Sequence, residues 1–173
     1  MIVGPHVVEG NLHNFETRTI LCAVSMLDTS IVVATFAASL ALQHHARLIL
    51  QHVIKPQERS QVLAGRSIDQ IEGDLISLVP EELQEKIDVQ AIVVPGDPTE
   101  EMLYQARSQK ANLIVLGAHG ASAFAAVTRH GVVYKVLAHS HCPVMTLSPL
   151  VLAQSGAKGE RISPIETFLA GVF

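Results

Sequence analysis

The chain has 173 residues, 49% of them hydrophobic and 16% charged, which is enough to bury the core of one ordinary domain. Its net charge of −4, with no tryptophan and no long run of lysine or arginine, gives no electrostatic footprint for a nucleic acid or an anionic membrane. The longest apolar run, Ile31 to Leu42, is shorter than a bilayer span, and the first residues lack the pattern of a signal peptide. We therefore expect a cytoplasmic protein that binds neither nucleic acid nor membrane.

The first part of the chain predicts an arm, a strand, a helix and a second strand. Residues 1–17 are polar and without period, and they predict a flexible arm. Thr19 to Val24 is a continuous apolar run, typical of a strand that is covered on both faces. Asp28-Thr29-Ser30 can cap the helix that follows, whose apolar positions are dense from Ile31 to Leu42. Arg47 to Val53 is the second predicted strand.

The middle of the chain repeats the alternation of strand and helix. After a loop containing Pro56, apolar residues recur at spacings of three and four, which predicts an amphipathic helix. These residues are Ile68, Ile71, Leu75 and Leu78. Asp88 to Val94 is the third predicted strand. Gly96-Asp97-Pro98 then supplies a turn, an N-cap and a proline at the first helical position, and the helix that follows should bury Met102, Leu103 and Ala106.

The last part of the predicted domain contains two strands and one helix. Leu113 to Leu116 is the fourth strand, and Cys142 to Leu147 closes the domain as the fifth. Between them, Val133, Val136 and Leu137 mark the inner face of a helix. Five strands separated by four helices predict a doubly wound, Rossmann-like α/β fold, in which a five-stranded parallel sheet is sandwiched by the helices.

Ligands of such folds bind beyond the carboxyl ends of the strands. Here that edge contains Ser25 to Asp28, Val53 to Pro56, and Gly117 to Gly120. In the last of these, Gly117-Ala118-His119-Gly120 joins a β-branched strand to a helix, an arrangement in which backbone N–H groups can face an anion. A phosphate or nucleotide is therefore the first ligand to consider. The competing interpretation is a tight turn between strand and helix that binds nothing.

These motifs, in this order, resemble the universal stress protein family of small α/β domains related to the adenine-nucleotide α-hydrolase fold. The resemblance covers Thr19 to Ser148 and places the domain at residues 18–149. Its carriers are Ile20-Leu21-Cys22-Ala23-Val24, His52-Val53, Gly96-Asp97-Pro98, Leu113 to Gly120 and Cys142-Pro143-Val144. It implies a role in tolerating stress and a homodimer formed through the edge strand Val144 to Leu147.

The ATP-binding branch of the family has a loop of glycine, two residues, glycine, nine residues, and then glycine with Ser or Thr. Gly117 and Gly120 match, but His130-Gly131 stands where the second pair should be. That branch also has an Asp after the first strand, where this chain has Ser25. The base of its bound nucleotide contacts the backbone at the position of Val53. The resemblance thus implies a degenerate site for ATP or AMP. Its residues are Ser25, Val53, Gly117, His119, Gly120, His130, Gly131 and Val132.

Several functions remain open at this point. The chain can be a dimeric stress-response module that acts through partner contacts, as in the branch that does not bind ATP, or an ATP- or AMP-binding switch. It can also be a hydrolase of a small phosphorylated or adenylated compound. No P-loop is present, Lys135 is the only lysine near the glycine loop, and no Ser or Cys nucleophile is paired with a His. We therefore assign no catalytic residue and leave enzymatic activity uncertain.

Other chemistry-bearing residues have structural interpretations. Nine histidines are many for this length, but His44-His45 and His139-Ser140-His141-Cys142 do not have the spacing of a dedicated metal site, so we expect no metal. Both cysteines, Cys22 and Cys142, fall in predicted buried strands and should be free thiols. The cluster of Asp97, Glu100 and Glu101 lies at a helix start, where carboxylates complement the helix dipole.

Residues 150–173 extend beyond the predicted domain. Their Gly-, Ser- and Lys-containing start is typical of a linker. An apolar face on a short helix can follow, formed by Ile165, Phe168, Leu169, Val172 and Phe173. We expect this helix to dock on its own domain or on a second subunit, covering part of the pocket or the dimer interface.

Overall fold

The computed structural model describes residues 17–25, 30–117 and 131–147. They form one five-stranded parallel sheet in the order β3-β2-β1-β4-β5, with helices on both faces. The strands are β1 (Thr19–Ala23), β2 (Arg47–Ile54), β3 (Val89–Pro95), β4 (Leu113–Gly117) and β5 (Val144–Leu147). This topology confirms the predicted doubly wound α/β fold.

The described helices follow the strands in alternation. They are α1 (Ser30–His44), α2 (Arg59–Leu63), α3 (Ile68–Ile76), α4 (Glu81–Gln84), α5 (Pro98–Ser108) and α6 (Val132–His139), and a 3₁₀ turn (Pro56–Glu58) precedes α2. The connection from β2 to β3 therefore contains three short helices and a 3₁₀ turn, where the sequence predicts a single helix. Helix α3 ends at Ile76, ahead of Leu78, because Pro80 disfavours helical geometry in the residue before it and cannot continue the hydrogen-bond ladder.

Two apolar layers cover the sheet, because successive side chains of a strand point to opposite faces. Leu48 and Leu50 of β2 pack in the layer formed with α1, α3 and α4. Ile49 packs in the other layer, against buried residues of α5 and α6 such as Met102 and Val136. Since both faces are buried, the strands appear in the sequence as continuous apolar runs rather than as alternating ones.

The turn into α5 has the predicted construction. The Asp97 carboxylate accepts hydrogen bonds from the backbone N–H groups of Thr99 (2.9 Å) and Glu100 (3.1 Å), and the helix begins at Pro98. Gly96 has φ = +154°, a conformation that glycine tolerates and other residues rarely adopt. The carboxylate at this helix start is therefore structural, and it fixes the N-terminus of α5 at the carboxyl edge of the sheet.

Both cysteines are buried free thiols, as predicted. Cys22 is fully buried in β1, and desolvation raises the pKa of its thiol to about 12. Burial also raises the pKa of the Cys142 thiol, although a hydrogen bond with the Ser140 side chain opposes part of that shift. Neither thiol forms a thiolate readily near neutral pH, so neither is an activated nucleophile.

Several sequence predictions fall on other parts of the chain. The predicted arm lies outside the described residues except for Thr17. The predicted docked helix after Leu150 lies wholly outside them, as do Asp28 and Thr29 of the predicted cap. None of the helices in the described ranges is both long and apolar enough to cross a membrane.

Candidate functional site

The candidate site lies at the carboxyl edge of the sheet, where the parallel strands all end. Ser25 follows β1, Val53 lies near the end of β2, and Gly117 ends β4. Gly131 and Val132 begin α6, which leads back to β5, so they lie at the same edge. His119, Gly120 and His130, the other three predicted site residues, lie outside the described residues.

The end of β1 is held in place by β2. The Val24 backbone N–H donates to the carbonyl oxygen of Gln51 at 2.9 Å. The Nδ1 atom of His52 lies 3.0 Å from the Val24 carbonyl oxygen, in hydrogen-bonding position for the tautomer that carries its proton on Nδ1. Because His52 is only 7% exposed, this imidazole is a structural tether, and it fixes the backbone immediately before Ser25.

Ser25 is exposed at this edge and contacts the start of α1. Its Oγ lies 3.5 Å from the Oγ of Ser30, the buried first residue of that helix. A hydroxyl can donate one hydrogen bond and accept others, but it carries no charge and cannot take both hydroxyls of a ribose as a bidentate carboxylate does. The structure therefore gives the edge a neutral polar group at this point.

The N-terminus of α6 is suited to an anion. Its N-cap is Gly131, with an extended backbone (φ = −76°, ψ = 151°) and no side chain that can occupy the first N–H groups. No acidic residue lies in the first turn of this helix, whereas α5 carries Glu100 and Glu101 in its first turn. Free N–H groups and the positive end of the helix dipole favour a phosphate at such a position.

Gln51 is a polar residue of this region that the sequence analysis missed. Its side chain lies on β2 and is 1% exposed, yet neither its Oε1 nor its Nε2 has a hydrogen-bond partner in the described part of the chain. The signal in the sequence was a single amide within the apolar strand from Leu48 to Ile54. A buried, unpaired carboxamide is uncommon in folded proteins and requires an explanation.

The histidines at the ends of helices do not assemble into a metal site among the described residues, where no three His, Cys, Asp or Glu side chains come together. The Nδ1 atom of His139 lies 2.8 Å from the Lys135 carbonyl oxygen in the last turn of α6. Partial burial and the nearby Arg107 guanidinium lower the pKa of His141, against an opposing hydrogen bond with the Ala111 backbone. These contacts are those of residues that complete helix ends.

Comparison with known proteins places the chain in a family. The sequence profile of the universal stress protein family matches residues 16–148. A Thermus aquaticus protein described as "universal stress protein in QAH/OAS sulfhydrylase 3'region" is 28% identical over 139 residues, which cover 74% of this chain and 96% of the relative.

Solved structures agree in fold. A universal stress protein in complex with cAMP superposes with a TM-score of 0.61 at 20% identity, over 78% of this chain and 98% of its own. The universal stress protein from Archaeoglobus fulgidus in complex with dAMP gives a TM-score of 0.54 at 17% identity, over 76% and 98% of the two chains. The match of the family profile across most of the sequence shows that the chain belongs to the universal stress protein family.

Proposed function

We propose that this chain is a cytoplasmic, dimeric stress-response module whose carboxyl-edge site binds an adenine nucleotide with reduced affinity. The observation that carries the proposal is the N-terminus of α6, capped by Gly131 and without an acidic residue in its first turn, at the edge where β4 ends in Gly117. Two structural neighbours, solved with cAMP and with dAMP, support an adenine nucleotide as the ligand.

The phosphate is the part of the ligand for which this chain retains a binding group. The first backbone N–H groups of α6, from Val132 onward, have no partner inside the helix and lie at its positive end. Glycine at the N-cap leaves room for an oxygen to approach the backbone. From the sequence alone, His119, Gly120 and His130 are proposed to belong to the same site, and a protonated imidazole at either histidine would favour an anionic ligand.

The ribose is the part of the ligand for which the site is weakened. The ATP-binding branch that the sequence resembles has a carboxylate where this chain has Ser25, whose Oγ lies 3.5 Å from that of Ser30. A hydrogen bond to a charged group contributes about 1.5–3 kcal/mol, roughly twice as much as one between neutral groups. Val53 would contact the base through its backbone, and such a contact is possible with any side chain at this position. This exchange of carboxylate for hydroxyl is our reason for proposing a degenerate site.

The dimer is proposed to form through β5. This strand pairs with β4 on one side and is the last strand of the sheet. Its residues Met145, Thr146 and Leu147 are half-buried, and no described residue pairs with the outer backbone groups of the strand, which also carries apolar side chains. Such an edge pairs readily with a second copy about a two-fold axis.

Calorimetric titration of AMP, cAMP and ATP into nucleotide-free protein tests the proposal. We expect the wild-type chain to bind with a dissociation constant weaker than about 10 μM. Ser25→Asp, which restores a carboxylate, should tighten binding by about tenfold or more, because it adds a charge-assisted hydrogen bond. Ser25→Asn, of similar size but uncharged, is the matched control and should stay within about twofold of wild type. Absence of binding heat in all three proteins would contradict the proposal.

A further inference from the structure

A cavity of about 340 Å³ opens at the amino edge of the sheet, opposite the candidate nucleotide site. It is formed by the end of α5 and by the segments that precede β4 and β5, and its lining residues are Arg107, Lys110, Ala111, Asn112 and His141. Its volume lies in the range of about 300–1,000 Å³ that is usual for small-molecule sites. The five residues of β4 separate the two edges by about 16 Å. The cavity is therefore distinct from the N-terminus of α6.

The cavity is lined by cations without acidic partners. Arg107 and Lys110 are exposed, and neither forms an ion pair with a described residue. The described segments that meet at this edge are residues 17–19, 105–112 and 139–143, and they contain no Asp or Glu. Because the whole chain has a net charge of −4, this group of cations is a local feature of the surface. A concave region lined by one sign of charge attracts ions of the opposite sign, here anions.

The end of α5 does not require these two cations. The C-terminus of a helix is negative, and a nearby cation commonly complements it. Arg47 of β2 already does so, because its Nη2 atom donates to the Gln109 carbonyl oxygen at 3.3 Å. The side chains of Arg107 and Lys110 make no such contact with a described residue, so both are available to a ligand.

Lys110 has a backbone conformation that favours glycine. Its φ is +53°, and its N–H donates to the Arg107 carbonyl oxygen at 3.1 Å. The N–H of Ala111 donates to the Ala106 carbonyl oxygen at 2.8 Å, which completes the pair of hydrogen bonds typical of helices that end in a left-handed glycine. A residue with a Cβ is disfavoured in this conformation. The sequence thus places an ammonium group at the cavity where the backbone favours glycine.

The other two polar side chains of the cavity suit an anion as well. The Oδ1 atom of Asn112 accepts from the backbone N–H groups of Arg18 and Thr19, each at 3.0 Å. These two donors fix the orientation of the carboxamide, so its Nδ2 atom is the one left to donate. Partial burial and the nearby Arg107 guanidinium lower the pKa of His141, as expected where the potential is positive. The cavity is therefore rich in donors and positive charge.

We propose that this cavity is a second anion site of the protein and that it binds the phosphate group of a small molecule. The Arg107 guanidinium can donate to two phosphate oxygens through parallel N–H groups, while the Lys110 ammonium and the Asn112 Nδ2 donate to the others. Two cations match the charge of a phosphate monoester, which is about −1.5 to −2 near neutral pH. The inference does not depend on the nucleotide site, which lies at the opposite edge of the sheet.

NMR titration of the full-length chain, observed at the ring resonances of His141, tests the inference. The ligands are inorganic phosphate and glycerol 3-phosphate, and the controls are glycerol, which lacks the phosphate, and potassium chloride at the same ionic strength. We expect both phosphate compounds to shift these resonances with a dissociation constant of about 1 mM or tighter, and both controls to leave them nearly unchanged. Shifts as large with chloride, or no shift with either phosphate compound, would overturn the inference.

Three variants distinguish ligand binding from a structural role. Arg107→Gln should weaken phosphate binding by about tenfold or more. Arg59→Gln, which removes the same charge from an exposed position of α2, is the matched control and should stay within about twofold of wild type. Lys110→Gly should weaken binding by about fivefold or more, while its melting temperature stays unchanged or rises because glycine suits this backbone conformation.

The variants can also overturn the inference. Unchanged phosphate affinity in both Arg107→Gln and Lys110→Gly would show that these cations do not hold the anion. An equal loss of AMP affinity in Arg107→Gln would place both ligands in one shared site and exclude a second one. Absence of AMP binding by wild type would contradict the proposed function, whereas the phosphate titration would still decide the present inference.

Discussion

The two outer strands of the sheet, β3 and β5, differ in how their outward-facing backbone groups are covered. At β3, the backbone N–H of Val93 points away from β2 and donates to the Glu72 carboxylate of α3 at 3.2 Å. Pro95, the last residue of that strand, has no N–H to offer. At β5, none of the described side chains covers the outer backbone groups in this way. One edge is thus closed by its own crossover, whereas the described residues leave the other edge open for pairing.

The largest expected effect comes from closing the open edge. Ile114 donates to the Pro143 carbonyl, so in a parallel ladder the N–H of Thr146 points away from β4. Thr146→Pro removes that donor without breaking a bond to β4, and we expect the proposed dimer to weaken by about a hundredfold or more. Thr146→Ala keeps the N–H and should remain dimeric. Light-scattering mass across a dilution series measures the change, and a Thr146→Pro protein that stays dimeric would exclude β5 pairing.

The end of the closed edge depends on the turn after β3. Gly96 has φ = +154°, and a Cβ placed there would lie 2.7 Å from the Glu101 Cγ. We expect Gly96→Ala to lower the free energy of unfolding by about 1–3 kcal/mol, because alanine rarely adopts this backbone conformation. Denaturant unfolding measures the loss. Gly73→Ala, where the added Cβ meets nothing within 4 Å and the residue is helical, is the control and should be neutral or stabilising.

Opening the closed edge should have a smaller effect. Glu72→Leu removes the acceptor of the Val93 N–H, and we expect a loss of about 1–2 kcal/mol in the free energy of unfolding together with new self-association. Glu72→Gln retains a side-chain acceptor, so its free energy of unfolding and its self-association should lie between those of wild type and Glu72→Leu. Unfolding curves and light scattering are the measurements. If Glu72→Leu matched wild type in both, the carboxylate would not protect the strand.

The smallest effect concerns acid stability beside β5. Burial and Arg107 lower the pKa of His141 in the folded state, so the unfolded chain binds the proton more readily. This contribution to stability is complete above the unfolded pKa of about 6.5 and declines as the pH falls below it. His141→Gln should therefore lose less stability than wild type between pH 7.5 and pH 5.5, as read from urea unfolding at both values. Equal losses would show that His141 does not contribute.

The fold was predictable because its signals are local and repeated. Continuous apolar runs identify strands that are buried on both faces, and Asp97 with Pro98 identifies the start of α5. The division of the β2–β3 connection into short helices was not predicted, since apolar spacing alone does not show where Pro80 ends a helix.

The candidate site was predictable only in outline. Chain order and parallel pairing bring Ser25, Val53, Gly117 and Gly131 to one edge. The contact of Ser25 with Ser30 and the tether between His52 and Val24 depend on side-chain directions that only the folded backbone sets. Gln51 was missed because a strand residue in an apolar run is expected to pack, and only the folded backbone shows that its carboxamide has no hydrogen-bond partner among the described residues.

The reactivity of the two buried thiols reports how often the structure around each of them opens. Cys22 lies in the central strand and Cys142 just ahead of the outer strand β5. A thiol reagent reaches each only when the surrounding structure opens, so its labelling rate measures how often that part of the molecule is exposed. We expect Cys142 to be labelled in small local openings and Cys22 only when the whole sheet unfolds. The labelling rates of the two native cysteines can therefore show whether a nucleotide, or association of two copies, stabilises the region beside β5, the central strand β1 or both.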